Sequence, residues 1–406
     1  MKDAKKKHKV NMIKLSDIKG INKLITDSVS GVTDIVSSMH KTIDSSPGLF
    51  GATTSGPIGQ ITNIVYQSIH DVNHAVRDCI DSVIDQLEPM FDDCQSFQER
   101  DFVLSVLNGI LGDYLFDQNN PLAIPMTIQE YKKPPLNVEN INLPGFNGKL
   151  LILVHGLCMN YQQWLINDHD HGAYLAREFG YTPLYLNYNS GRHISTNGQL
   201  FSDLLESIIP QLNIKDCVII AHSMGGLVTR SAFYYAQQSS YTWPEKINKL
   251  IFLGTPHHGA PLERSGNWVN IILEQFSYAA PFARLAKIRS SCITDLRYGT
   301  IRDEDWINTN RFDNTKDNRQ PVPLPKQTQN YAIAGALTDV PDSIKDKIIG
   351  DGLVPTKSAL GQHANPEHCL KFPETSKWIG YGLNHWDLLY HPKVYEKIYQ
   401  WCSAIV

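Results

Sequence analysis

Val218-Ile219-Ile220-Ala221-His222-Ser223-Met224-Gly225-Gly226 is the stretch on which the reading of this chain turns. A short β-branched run ends on a small residue, then a serine, then two glycines, and a helix-like segment follows from Leu227 to Gln237. That order predicts a strand bending sharply into a helix with the serine at the bend, its hydroxyl lifted clear of the sheet edge. Bulk two positions either side would strike the strand or the helix, and Ala221 and Gly225 avoid it. The pattern is G-x-S-x-G with alanine in place of the first glycine.

A serine hydroxyl is a weak nucleophile unless a base takes its proton and donors hold the charge that develops on the substrate oxygen. A helix starting at the bend aims its free N–H groups there, which makes the N–H of Met224 a candidate oxyanion donor. Upstream, Lys149-Leu150-Leu151-Ile152-Leu153-Val154-His155-Gly156-Leu157 reads as a buried parallel strand with a tight exit. By position, the N–H of Leu157 is the second candidate donor. Lys249-Leu250-Ile251-Phe252-Leu253-Gly254-Thr255-Pro256-His257-His258-Gly259 gives another strand and turn. Gly350-Asp351-Gly352-Leu353-Val354-Pro355 follows a strand-like Tyr331–Gly335, and Leu383-Asn384-His385-Trp386 lies near the C-terminus. The candidate nucleophile, acid and base thus run Ser223, Asp351, His385. Asp339 and Asp342 are rival acids and lie closer to the end of the strand at 331–335; His391 is the rival base but precedes a proline that opens the last helix.

Together, A-H-S-M-G-G, H-G-L, L-G-T-P-H-H-G and D-G-L-V-P resemble the lipase branch of the α/β-hydrolase superfamily, including bacterial lipases and hydrolases similar to the GPI inositol deacylases. The resemblance runs from about Leu143 to the C-terminus. It implies an α/β-hydrolase fold, a mostly parallel sheet with helices on both faces. It also implies a serine esterase acting through an acyl-enzyme without a cofactor, with Ser223 as nucleophile, Asp351 as acid, His385 as base, and Leu157 and Met224 as oxyanion donors. The substrate class it implies is a small-molecule or lipid ester. Two other readings stay open: a lipid-surface binding protein with secondary hydrolase activity, and an acyltransferase using the same three residues.

The 406 residues carry a net charge of -4, with 42% apolar and 19% charged residues, which points away from nucleic acid. No apolar run reaches the ~18 residues of a membrane span. The lysine-rich start lacks the apolar stretch of a secretory signal. Seven scattered cysteines show no disulfide or zinc spacing, and a reducing cytoplasm is the expected setting. Cys158 reads as a small packing residue. The polar run around His169 and His171 reads as a solvated loop, with no metal expected.

The chain divides into an N-terminal helical region and linker, 1–140, and a catalytic domain, 141–406, with a cap or lid insertion at 259–328. Apolar residues three and four apart predict two long amphipathic helices over Ile18–Ile43 and Ile58–Leu87, and a third helix from Gln98 to Phe116. Peripheral contact with a lipid surface through these helices is one expectation; a bundle packed on itself or on the hydrolase is the other. Trp268–Phe276 is the candidate lid helix, and 303–325 reads as polar surface loop.

Overall fold

The computed structural model describes residues 19–20, 97–260, 290–307, 317–338 and 350–404. The two expected helices over 18–43 and 58–87 (apart from residues 19–20) and the lid helix over 268–276 lie outside the described residues, as do Asp339 and Asp342.

Among the described residues, seven strands form one sheet in the order β1-β3-β2-β4-β5-β6-β7. They are β1 (Thr127–Gln129), β2 (Lys149–Val154), β3 (Thr182–Asn187), β4 (Asp216–His222), β5 (Lys249–Leu253), β6 (Gln329–Ala336) and β7 (Lys377–Tyr381). β1 runs antiparallel to β3; every other pair is parallel. This is the α/β-hydrolase arrangement. β4 sits at its middle, and its register pairs Ala221 with both Val154 and Phe252.

The central strands are apolar on both faces because helices cover both. Leu150, Ile152, Ile219 and Phe252 pack into one core, while Leu151, Leu153, Ile220 and Ile251 pack into the other. The strict alternation follows from the two-residue period of a strand. Among the described residues, the helices longer than five residues are α1 (Phe97–Asp117), α2 (His171–Phe179), α3 (Ile194–Ile208), α4 (Met224–Gln238) and α5 (Pro392–Ser403).

α1 matches the helix expected from Gln98 to Phe116 within one residue at each end. Residues 103–112 are buried without interruption, which a helix lying on a surface would not show. Val103, Val106, Leu107 and Ile110 join the main core. On the far side of the helix Ser105, Asn108, Gly109 and Gly112 are buried as well. The body built on the sheet therefore takes in α1 and β1, both upstream of residue 141.

Two local expectations change. In the run expected to be a solvated loop, Asn167 and Asp168 are exposed, but Asp170 and His171 are buried. Asp170 caps α2 by accepting from the Gly172 and Ala173 N–H groups, and it accepts the Tyr185 hydroxyl at 2.7 Å. His169 Nε2 meets His171 Nδ1 at 2.8 Å, and His171 Nε2 reaches the Leu388 carbonyl at 3.1 Å. This strand of contacts ties α2 to the segment just after His385. The stretch from 317 to 325 is irregular as expected, yet Arg319 donates to the His257 and Gly299 carbonyls and the Val322 carbonyl accepts from Arg230. It is a strap fastened to the turn after β5.

Candidate active site

Ser223 sits between β4 and α4 with φ 55° and ψ −129°. A non-glycine residue rarely adopts positive φ, and such strain persists only where the surroundings over-determine it. Here they do. The Ser223 N–H donates to the Leu253 carbonyl at 2.8 Å, and its carbonyl accepts from the Gly226 N–H at 3.0 Å. Gly225 lies against the backbone of β2: a Cβ there would stand 2.5 Å from the His155 carbonyl oxygen and 2.6 Å from that of Val154. The small residue expected at this position is thus demanded by a close backbone approach.

The candidate acid and base come together at the ends of β6 and β7. His385 Nδ1 lies 2.7 Å from Asp351 Oδ2, and the His385 N–H donates to the Asp351 carbonyl at 3.0 Å. The other carboxylate oxygen, Oδ1, accepts the N–H groups of Leu353 and Val354 at 3.0 and 2.8 Å. Asp351 and His385 are each 2% exposed. A buried carboxylate is tolerable when its lone pairs are used in this way.

Two glycines make the room. A Cβ on Gly254, the residue after β5, would come within 3.0 Å of His385 Cε1 and 3.1 Å of Asp351 Oδ2. A Cβ on Gly335 would come within 2.8 Å of Asp351 Cβ. Asp351 and His385 therefore nestle against the tip of β5, whose last residue, Leu253, accepts the Ser223 N–H. His222, next to Ser223, donates from Nε2 to the His385 carbonyl at 3.2 Å, with the two rings 4.7 Å apart. That His222 would meet the candidate base was not legible, because residues 222 and 385 come together only through the fold. His391 caps α5 by accepting the Lys393 N–H and lies apart from this group.

Leu157 follows β2 and Met224 opens α4. Among the described residues, neither backbone N–H has an acceptor. The loop carrying Leu157 runs hard against Ser223, since a Cβ on the preceding Gly156 would lie 3.0 Å from Ser223 Cβ. Cys158, the next residue, has φ 58° and donates its N–H to Ser190 Oγ at 3.1 Å. Burial pushes its thiol up to about 12, which suits a packing residue and not a thiolate nucleophile. Among the described residues no group of three or more His, Cys, Asp or Glu could hold a metal ion, and no helix is long and apolar enough to cross a membrane.

Burial also holds several histidines neutral. His155 is brought down to about 4, His171 and His258 to about 3, and His222 and His257 well below the ordinary 6.5. The unfolded chain protonates these rings near 6.5, so below that pH it binds more protons than the fold does and stability falls. Between pH 7 and 5 each such ring costs about 1–2 kcal/mol. Asp170, Asp295 and Asp305 are raised by burial and act in the opposite sense, but they are fewer. Thermal unfolding is expected at a clearly lower temperature at pH 5 than at pH 7; an unchanged or higher midpoint would contradict this account of the buried rings.

Residues 145–346 match the family model of the PGAP1-like alpha/beta domain. No curated protein matches the sequence. Among solved structures, the mature lipase BlEst2 of Bacillus licheniformis is 17% identical, with 70% of this chain and 100% of that one covered and a TM-score of 0.43. Lipase 1 of Pelosinus fermentans is 12% identical over 64% of this chain and 100% of that one, at a TM-score of 0.40. Naproxen esterase of Bacillus subtilis is 12% identical over 63% and 84%, at a TM-score of 0.36. The sheet order and the serine turn after its central strand are those of an α/β-hydrolase fold, and residues 145–346 of this chain match the PGAP1-like alpha/beta domain.

Proposed function

We propose that the protein is a serine hydrolase that cleaves carboxylic esters through an acyl-enzyme. The observation that carries this reading is the 2.7 Å contact of Asp351 with His385 Nδ1, held at the tip of β5 beside the strained Ser223 turn. With Nδ1–H given to the carboxylate, the Nε2 lone pair of His385 is the one available to a serine proton.

Ser223 Oγ attacks the acyl carbon as His385 takes its proton. The carbonyl oxygen becomes an oxyanion facing the Leu157 and Met224 N–H groups, each worth about 3–4 kcal/mol of barrier when aligned. Asp351 keeps the tautomer and offsets the imidazolium charge. His385 then protonates the departing alcohol, the acyl group stays on Ser223, and a water deprotonated by His385 releases the acid. No step calls on a cofactor.

The test is turnover of p-nitrophenyl esters of increasing acyl length by the purified chain, with and without phospholipid vesicles, and with released acid quantified. Release of acid in step with p-nitrophenol is expected. Release of p-nitrophenol with the acyl group appearing on an added alcohol would turn the assignment to acyl transfer, and no turnover of any chain length would sink it.

A further inference from the structure

We propose that α1, which lies outside the PGAP1-like stretch, is the back wall of the oxyanion loop, and that Gly109 is a positioning residue setting the direction of the Leu157 N–H. The inference rests on the proposed hydrolase reading and adds to it a part of the chain that the family match does not include.

The contact is unusually close. A Cβ on Gly109 would lie 2.3 Å from Cys158 Sγ and 3.0 Å from both its Cα and its N. Cys158 is the residue directly after Leu157, and it is held at φ 58°. A left-handed cysteine is strained by about 1–2 kcal/mol and needs its surroundings to keep it there. α1 supplies one side of that enclosure at Gly109, and Ser190 Oγ supplies the other by accepting the Cys158 N–H at 3.1 Å. The peptide plane joining Leu157 to Cys158 is fixed between them. The direction of the adjacent Leu157 N–H follows from the same backbone.

Further ties run along the helix. Gln162 Nε2 donates to Asp101 Oδ2 at 2.9 Å, fastening the end of the oxyanion loop to the start of α1. Asn189 Nδ2 donates to the Gly112 carbonyl at 2.8 Å, fastening the loop that carries Ser190 to its later turns. A Cβ on Gly112 would stand against Asn189 Oδ1, so this second approach is also too close for a side chain. The helix thus grips the oxyanion loop and the loop that buttresses it at once. A misdirected N–H loses the transition-state bond while leaving ground-state binding of the ester intact, so the signature is a fall in kcat at nearly constant KM.

The experiment compares Gly109→Ala in two backgrounds, wild type and Cys158→Gly, with a soluble p-nitrophenyl ester and with a trifluoromethyl ketone that forms a tetrahedral adduct. In the wild-type background, kcat is expected to fall by about 30-fold or more, up to the 10²–10³-fold that complete loss of one oxyanion donor is worth. Ketone inhibition should weaken in proportion, with KM changed by less than about threefold. With the Cys158 side chain removed, the same substitution is expected to cost less than about fivefold, because its main collision is gone. Equal losses in the two backgrounds, an unchanged kcat, or a change confined to KM would each overturn the proposal. Should Gly109→Ala not yield folded protein, Asp101→Ala serves: a threefold or larger fall in kcat at constant KM supports the proposal, and an unchanged kcat overturns it. A wild-type chain without turnover would instead sink the hydrolase reading itself; wild-type turnover with an indifferent Gly109→Ala sinks this inference alone.

Discussion

Replacing Ser223 with alanine is expected to lower kcat/KM for a soluble ester by at least about 10⁴-fold while leaving the fold intact. In the proposed mechanism the hydroxyl oxygen is the atom that becomes acylated, and nothing else at the turn can take its place. Cys158 is near but buried, with its thiol held protonated. His222 is committed to the His385 carbonyl and is kept uncharged by burial. Some rate above water should survive, since the Leu157 and Met224 N–H groups still face the substrate oxygen. The hydroxyl makes no hydrogen bond that caps α4, so its loss removes no cap, and the thermal midpoint should stay close to that of wild type. A loss smaller than about tenfold would contradict the assignment of Ser223 as nucleophile.

Asp351→Asn is the second large effect, with an expected fall in kcat of about 10⁴-fold near neutral pH. The structure shows why a nearly isosteric change should be so costly. One oxygen of Asp351 accepts two backbone N–H groups, from Leu353 and Val354. An asparagine must keep its carbonyl oxygen there, because the reverse orientation would point its NH₂ at two donors. The amide nitrogen then faces His385 Nδ1 and donates to it. That forces the proton of the neutral imidazole onto Nε2, where the lone pair is needed to receive the serine proton. The measurement is kcat against pH for the variant, with its melting midpoint as the control. Activity within about tenfold of wild type would show that Asp351 does not set the tautomer. Asp351→Ala is a harsher change, since it also strands two buried N–H groups at about 1–3 kcal/mol each.

The parts of this account that were legible in the sequence are those fixed by local sterics and short-range pattern. The turn at Ser223 is written in Ala221 and Gly225 because the clash they avoid is with the chain's own adjacent strand and helix. The strands β2, β4, β5 and β6 are apolar on both faces and announce themselves. β1, β3 and β7 were missed. β1 has three residues, β3 is interrupted by Pro183, and β7 is half-exposed along most of its length, so none carries a clear period. The choice of Asp351 and His385 rested on family likeness, and the 2.7 Å contact between them comes from folding that brings positions 34 residues apart to one rim.

What the sequence hides is long-range fit. Gly254 and Gly335 look like ordinary strand exits, yet their missing side chains are what admit the acid and base. The buried pair Asp170–His171 looks like surface from composition alone; its burial depends on Tyr185 and Leu388, which arrive from elsewhere in the chain. α1 reads as one more helix of an N-terminal region, and nothing within its own residues says that Gly109 will meet Cys158.

The central claim, one nucleophile served by one base and two backbone donors, is tested most directly by a crystal structure of the chain after reaction with a fluorophosphonate ester. The expected result is a phosphorus bonded to Ser223 Oγ, His385 Nε2 within hydrogen-bond reach of the adduct, and the phosphoryl oxygen about 2.7–3.1 Å from the N–H groups of both Leu157 and Met224. A label on another residue, or a phosphoryl oxygen turned away from both donors, would contradict it.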